Sequence, residues 1–344
     1  MLRDLITSFW AQDLVEAELI IADDASVDGT RMLSEMVARI DPRIAYRRND
    51  TNLGFCENLR RAFLWAHGDF LVVLGDDDIL LGPHSLERYA SVFGDNPDVH
   101  YVYSNQIQMD SAMRFDSVYR YFENDAYFGR GTASFENTWL TSILITGMAL
   151  RRSAALDASF PSSTVLFPQV ELVGRLLSRY ASYGIADYLV APRAHADQLG
   201  FHANRRQRIV GPEQHGTLEI LDMVGKLNQE DSHGPDLDRT ARTLARSLAT
   251  NLPNEKVQGS TRIALNNALR LMRRSPAARR SPSLLLSVLV TIPTPPRTLD
   301  WLRSTMKAVI RRRHRREEEW FGSELRRQRA RGEEWWTRVG LLSS

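Results

Sequence analysis

"GDFLVVLGDDDIL" (68–80) sets an apolar strand directly against three adjacent carboxylates, Asp76, Asp77 and Asp78, and then returns to apolar residues. A short apolar run after a glycine reads as a buried strand. Working outward, the same device recurs. "AELII" (17–21) reads as a strand closing on Asp23 and Asp24, and "RIAYRR" (43–48) as another closing on Arg47, Arg48 and Asn49. Between them lie helical stretches at 28–40, with Asp28 as N-cap, and at 55–68, stopped by Gly68. Residues 2–12 place Leu2, Leu5, Ile6 and Phe9 on one helical face, and 86–93 and 99–104 continue as helix and strand. Strands alternating with helices at this spacing predict an α/β fold, a mostly parallel Rossmann-like sheet with helices on both faces. Such sheets bind ligands at the carboxyl ends of their strands, so the three polar clusters are expected on one rim.

Beyond residue 105 the pattern turns irregular and aromatic, a substrate-facing region with one more strand at 143–150. A helix is expected at 170–184 and a strand running into a loop at 185–200; from 205 onward the chain reads as helical and basic, broken by "TIPTPP" (291–296). The expected division is a catalytic region, 1–204, and a helical C-terminal extension, 205–344.

Composition narrows the class. A chain of 344 residues, 43% apolar and 25% charged, is an ordinary globular protein. The lone Cys56 excludes an internal disulfide and offers no zinc spacing. The longest apolar run, "LLLSVLV" (284–290), is far short of the ~20 residues of a membrane-spanning helix. With no secretion signal at the start, a cytoplasmic location is expected. The net charge of +2 hides an asymmetry: Leu302 to Gly332 holds eleven Lys or Arg against four Glu. With "LLLSVLV" upstream and "WF" and "WW" nearby, that arm suits an anionic membrane surface, placing the protein peripherally on the inner face of the cell membrane. A salt-bridged, solvated helix is the plainer alternative. No nucleic-acid module accompanies the charge.

Adjacent like charges are unfavourable unless a cation or water neutralises them. A hard divalent ion such as Mn²⁺ or Mg²⁺ prefers carboxylate oxygens, and Mg²⁺ commonly takes one or two of them plus substrate phosphates. The trio at 76–78 suits that use; a solvated acidic turn before the helix near His84 is the alternative.

"IIADDASVDGT" (20–30), "NDTNLGFCENLRRAF" (49–63) and "GDFLVVLGDDDIL" (68–80), in this order and closely spaced, together resemble the family 2 glycosyltransferases of bacterial cell-surface glycan type, inverting enzymes of the GT-A fold. The resemblance covers residues 1–200 and is specific through residue 80. It implies transfer of a hexosyl or deoxyhexosyl group from a nucleotide-sugar donor to a hydroxyl of a glycan or lipid-linked glycan acceptor. It implies that Asp23 and Asp24 meet the nucleotide base and ribose, and that Asn52, Gly54 and Asn58 form the next nucleotide-binding motif. Asp76 and Asp78 match the ends of an Asp-x-Asp metal motif, with Asp77 between them; the commoner form Asp-x-Asp-Asp instead puts Gly75 first, so which pair touches the metal stays open. In "VAPRAHADQLG" (190–200) His195 matches a histidine that completes the metal site in some members, with His202 as second choice. The family's Glu-Asp, whose Asp is the general base, falls on Pro168 and Gln169. Gln169 has no basic carboxylate, which leaves Glu171 as substitute or as an ordinary helix N-terminal acid. The family's first strand has no counterpart, and a misassigned start at Met1 is the expected reason. Two alternatives remain: a catalytically inactive GT-A-like scaffold with a membrane-binding basic arm, and a sugar-phosphate nucleotidyltransferase, whose Gly-rich phosphate loop is missing near the start.

Overall fold

The computed structural model describes residues 1–161, 167–194, 216–231, 233–258 and 261–338. The stripe of Leu2, Leu5, Ile6 and Phe9 winds into α1 (Leu2–Trp10), which buries Ile6 and Phe9. There follow β1 (Leu19–Asp23), α2 (Thr30–Ile40), β2 (Ile44–Arg48), α3 (Phe55–Trp65), β3 (Phe70–Val73), β4 (Ile79–Leu80) and α4 (Ser85–Asp95). The next strands are β5 (Val99–Asp110), β6 (Phe115–Tyr119) and β7 (Ala126–Phe128), then α5 (Thr132–Asn137), a 3-10 turn at Trp139–Ile143, β8 (Met148–Arg151) and α6 (Arg152–Asp157). Then come α7 (Pro168–Arg179), with Pro168 in its first turn, β9 (Ala181–Ala191) and β10 (Arg193–Ala194). After these, the described residues form helices: α8 (Gly216–Glu230), α9 (Leu237–Gln258), α10 (Thr261–Arg274), α11 (Pro276–Arg279), α12 (Pro282–Thr291), α13 (Pro296–Arg313) and α14 (Arg315–Arg338).

The α/β architecture with a helical C-terminal region stands, and its central sheet is mixed. β1 and β2 form a parallel pair, Asp23 opposite Arg48. The larger sheet runs β3-β8-β5-β9-β4, with β6 and β10 on β5 and β7 on β9. β5 is parallel to β9 and β10 but antiparallel to β6 and β8. The link from β5 to β6, residues 111–114, is too short for a crossover and permits only an antiparallel return. Among the described residues β1 pairs with β2 alone and β3 with β8 alone, so no ladder joins β1 to β3. The two strands still start side by side: Glu18 Oε1 accepts from the backbone N of His67 (2.5 Å) and of Gly68 (3.0 Å).

Two expectations are corrected locally. The helix expected to reach Gly184 stops at Arg179, and Ala181–Gly184 open β9 because β5 offers a parallel partner there, Tyr103 opposite Gly184. The strand expected at 143–150 begins at Met148, with Ile143 in the 3-10 turn.

The chain divides into two compact units: Met1–Ala194 together with the segment from His314 on, and the stretch between them. The region expected as one extension, 205–344, is therefore shared between the units. In the first unit Ile6, Phe9, Trp10, Ile21, Val37, Ile44 and Trp336 form one core cluster, and Ile79, Ile107, Met109, Ala191 and Phe321 belong to another. α14 is thus part of this core. Trp335 stacks on Trp10 (5.2 Å between centroids, 11° between planes) and the Trp336 indole N–H donates to Thr7 Oγ1 (2.7 Å). Phe321 and Trp336, which had supported a membrane role for the whole arm, are spent inside the protein. No described helix is long and apolar enough to cross a membrane.

Candidate functional site

β1 delivers Asp23, buried at 3% exposure. Its Oδ1 accepts from Ser26 N (2.7 Å), and its Oδ2 from Tyr46 Oη (2.5 Å) with Arg48 Nε at 3.3 Å. Burial pushes this carboxyl up, but the Ser26 and Tyr46 hydrogen bonds and the Arg48 charge outweigh it and leave it below the ordinary value. The same contact and burial push the Tyr46 hydroxyl up to about 12.

Asp24 holds the following loop. Its Oδ1 accepts from Leu53 N (2.8 Å) and Asn49 Nδ2 (2.9 Å), and its Oδ2 from Gly54 N (2.8 Å). Gly54 has φ +83°, a conformation that favours glycine, and stands at the N-terminus of α3. Asn58 ties this loop to the strand: its Oδ1 accepts from Asn49 and its Nδ2 donates to Ala22 O (3.1 Å). Asn52 is exposed and turns its Oδ1 onto Gly54 N, closing a local Asx turn. Asp24, expected at the nucleotide, thus holds the loop at 49–54.

After β3 the chain makes a tight turn. Asp78 N donates to Gly75 O, and Gly75 N donates back to Asp78 Oδ2, each at 3.2 Å. Asp76 is exposed, whereas Asp77 and Asp78 are buried, at 7% and 3% exposure. A Cβ on Gly75 would stand 2.7 Å from Asp78 Oδ2 and 2.8 Å from Asp77 Oδ1. Two carboxylate oxygens therefore converge on one point, which a side chain at 75 would fill.

Residues distant in sequence hold this turn in place. Arg193 N donates to Asp78 Oδ1 (2.8 Å), the Thr146 hydroxyl donates to Asp78 Oδ2, and Arg193 Nε donates to Asp77 O (2.8 Å). The Arg193 guanidinium is itself anchored on Asp4 of α1 (2.8 Å), and Gln106 Nε2 donates to Thr146 O (2.6 Å). Even with these donors, burial and the adjacent Asp77 charge push the Asp78 carboxyl up to about 7. Thr146, Gln106 and Asp4 escaped the reading of the sequence; Arg193 was visible only as part of "PRAH".

A divalent cation fits what is present: two converging buried carboxylates, one of them resisting ionisation because it is buried beside the other's charge. The donors are hard oxygens. Among the described residues no group of three or more His, Cys, Asp or Glu is disposed to hold a metal; one or two protein carboxylates plus substrate phosphates is the usual Mg²⁺ arrangement. Asp77 and Asp78 converge over Gly75, while Asp76 is exposed. His195 and His202 lie outside the described residues.

Gln169, at the position expected for the base, is buried; its amide donates to Ile143 O (3.3 Å) and its Oε1 has no hydrogen-bond partner among the described residues. Glu171, the substitute, is buried inside α7 with its carboxylate on Arg175 (2.6 Å). That pair holds Oε1 of the carboxylate on a cation of its own helix.

Comparison with known proteins bears on this rim directly. Residues 1–160 match the family model "Glycosyl transferase family 2". The chain is 37% identical over 73 residues to the putative colanic acid biosynthesis glycosyl transferase WcaA of Escherichia coli K12, covering 21% of this chain and 26% of that protein. It is 33% identical over 102 residues to the GalNAc(5)-diNAcBac-PP-undecaprenol beta-1,3-glucosyltransferase of Campylobacter jejuni, covering 27% of this chain and 33% of that protein. The matches thus span a third or less of these curated relatives. In fold, the chain is similar to the crystal structure of S. aureus TarS 1–349 in complex with UDP-GlcNAc, with TM-score 0.52 and 14% identity over 100% of this chain and 89% of that one.

Proposed function

We propose, from the match of residues 1–160 to the glycosyl transferase family 2 model, that the chain is an inverting glycosyltransferase dependent on Mn²⁺ or Mg²⁺. It moves a hexosyl or deoxyhexosyl group from a nucleotide-sugar to a hydroxyl of a glycan or lipid-linked glycan acceptor. The observation that carries this reading is the convergence of Asp77 Oδ1 and Asp78 Oδ2 over Gly75 at the end of β3. The relatives support the substrate class: one is named for glucosyl transfer onto an undecaprenol-linked glycan, and the TarS structure holds a UDP-sugar.

In displacement at an anomeric carbon, positive charge develops on the sugar ring and negative charge on the departing diphosphate. A divalent ion held by Asp77 and Asp78 supplies Lewis-acid neutralisation of that negative charge when bound. Thr146 and the backbone N–H of Arg193 fix the Asp78 carboxylate, so its orientation is set before any ligand arrives. Asp24 shapes the nucleotide end through the loop at 49–54, keeping Gly54 where a nucleotide can approach the backbone, and Asp23 holds the turn at Ser26 beside it. A lipid-linked acceptor would place the enzyme on the cytoplasmic side of an anionic membrane, the partner expected of the basic arm.

A second reading, an inactive scaffold, is favoured by one observation: Gln169 stands at the base position and Glu171 is held by Arg175. Thermal-shift screening of UDP-, GDP-, dTDP- and CDP-sugars with and without Mn²⁺, followed by donor hydrolysis, separates the two. Metal-dependent stabilisation and turnover by one donor, both lost in Asp78→Ala, support the enzyme. Donor binding with turnover near background in both wild type and Asp78→Ala supports the scaffold, and binding of no donor defeats both.

A further inference from the structure

α12 holds no charged residue, yet its outward face is not polar. Pro282, Leu285, Leu286, Leu289, Val290 and Pro293, just past its C-terminus, follow one another at helical spacing and are all exposed. Leu286 and Leu289 are 64% and 72% exposed. The opposite face carries Leu284, which is buried, and Ser287, whose hydroxyl donates to Ala249 O of α9 (2.7 Å). This helix therefore has an apolar face left over after packing.

Both ends of α12 are fixed. Ser281 caps its N-terminus, accepting from Leu284 N. At the C-terminus the buried Lys256 ammonium donates to the carbonyls of Thr291 (3.0 Å), Ile292 (2.6 Å) and Thr294 (2.7 Å). A cation on the terminal carbonyls satisfies groups the helix cannot pair itself and complements its dipole. The turn into α13 is thereby held, and the apolar face is presented rather than left to fold inward.

α13 extends the same character. Leu302, Met306 and Val309 fall at i, i+4 and i+7, and Trp301 lies beside them; all four are exposed. The helix also carries six Arg or Lys (Arg297, Arg303, Lys307, Arg311, Arg312, Arg313) against the single acid Asp300. An apolar stripe beside a large basic excess is the chemistry that lies in the headgroup layer of an anionic bilayer. A water-facing helix would carry its charge where α12 carries leucine.

We propose that the exposed face of α12 and α13 docks on an anionic phospholipid bilayer, with Leu285, Leu286, Leu289, Trp301 and Met306 entering the interface and the α13 cations meeting the lipid headgroups. This surface is distinct from Phe321, Trp335 and Trp336 of α14, which are used inside the first unit. It does not depend on glycosyl transfer and is tested without it.

The test is flotation of the full chain with phosphatidylcholine vesicles, with and without phosphatidylglycerol, at low and high salt. The expected result is binding that requires phosphatidylglycerol and weakens with salt. Leu286→Glu/Leu289→Glu should reduce the bound fraction about tenfold or more, and Arg312→Glu/Arg313→Glu by a similar factor. Circular dichroism and the melting temperature confirm folding of both variants, whose substituted side chains are exposed. Failure of the folded wild type to float, or equal flotation of wild type and Leu286→Glu/Leu289→Glu, overturns the proposal. So does a dimer in sedimentation that these substitutions dissolve while leaving flotation unchanged, since the face would then serve a second copy of the chain.

Discussion

Two aspartate pairs close two strands, Asp23–Asp24 after β1 and Asp77–Asp78 after β3, and the protein treats them in opposite ways. Asp23 and Asp24 receive hydroxyl, amide, guanidinium and backbone N–H donors, and Asp23 ionises more readily than an ordinary aspartate. Asp77 and Asp78 converge over Gly75 in a buried turn, and Asp78 resists ionisation. Asp23 has a cation, Arg48, beside its hydrogen bonds; Asp78 keeps its proton because it is buried beside the Asp77 charge, although Gly75, Thr146 and Arg193 also donate to it. Acidity at a strand end does not by itself mark a metal site, and the burial and charge of the neighbours decide.

The largest effect expected from this contrast is on turnover. Asp78→Ala should lower metal-dependent donor hydrolysis by roughly 10³-fold, the size of several kcal/mol of lost charge stabilisation, while the variant still melts cooperatively. Residual turnover within tenfold of wild type would erase the distinction between the pairs.

Asp24→Ala should act first on stability. It strips the acceptor from Leu53 N, Gly54 N and Asn49 Nδ2, and unpaired donors of this kind cost about 1–3 kcal/mol each when buried. A denaturant midpoint unchanged from wild type would show that Asp24 is not scaffold.

Acid and alkali should separate the pairs by sign in metal-free protein. The Asp78 carboxyl is raised, so the folded state binds its proton more tightly than the unfolded one, and the group's contribution declines as pH rises from 3.8 through about 7. Asp23 is depressed; its contribution is present above the ordinary value and is lost only as pH falls below it. Melting temperature followed against pH in EDTA should therefore flatten across the upper window in Asp78→Asn and across the acid edge in Asp23→Asn. Identical curves in the two variants would contradict the assignment.

The smallest expected change is in Glu171→Gln. Because Arg175 occupies that carboxylate, turnover should stay within a few-fold of wild type, whereas loss of a general base costs typically 10²–10⁴-fold. A loss in that range would restore Glu171 as the base.

Much of this was legible in the residues. The strand and helix order through β3 and the placement of Asp23, Asp24 and the trio at strand ends follow from local patterns, since each depends on neighbours within a few residues; the two-residue strand β4 was too short to show. What was hidden is long-range. Thr146 and Arg193 reach Asp78 across 68 and 115 positions, and Asp4 reaches Arg193 across 189, distances over which no periodicity carries information. The choice of Asp77 over Asp76 depends on how the turn at Gly75 closes. The split fate of the basic arm was equally invisible: Trp336 and Trp301 look alike in sequence, but one is buried against α1 and the other faces out.

Threading α14 back onto α1 has a bearing on how the chain is made. Ile6, Phe9 and Trp10 leave the ribosome well before Trp335 and Trp336, which pack against them. At ~5–20 residues per second, the interval between β10 and α14 is roughly 6–24 s. Through that interval α1 is covered by Ile21, Val37 and Ile44 but lacks the tryptophans of α14, leaving part of its apolar face as a natural client for a chaperone.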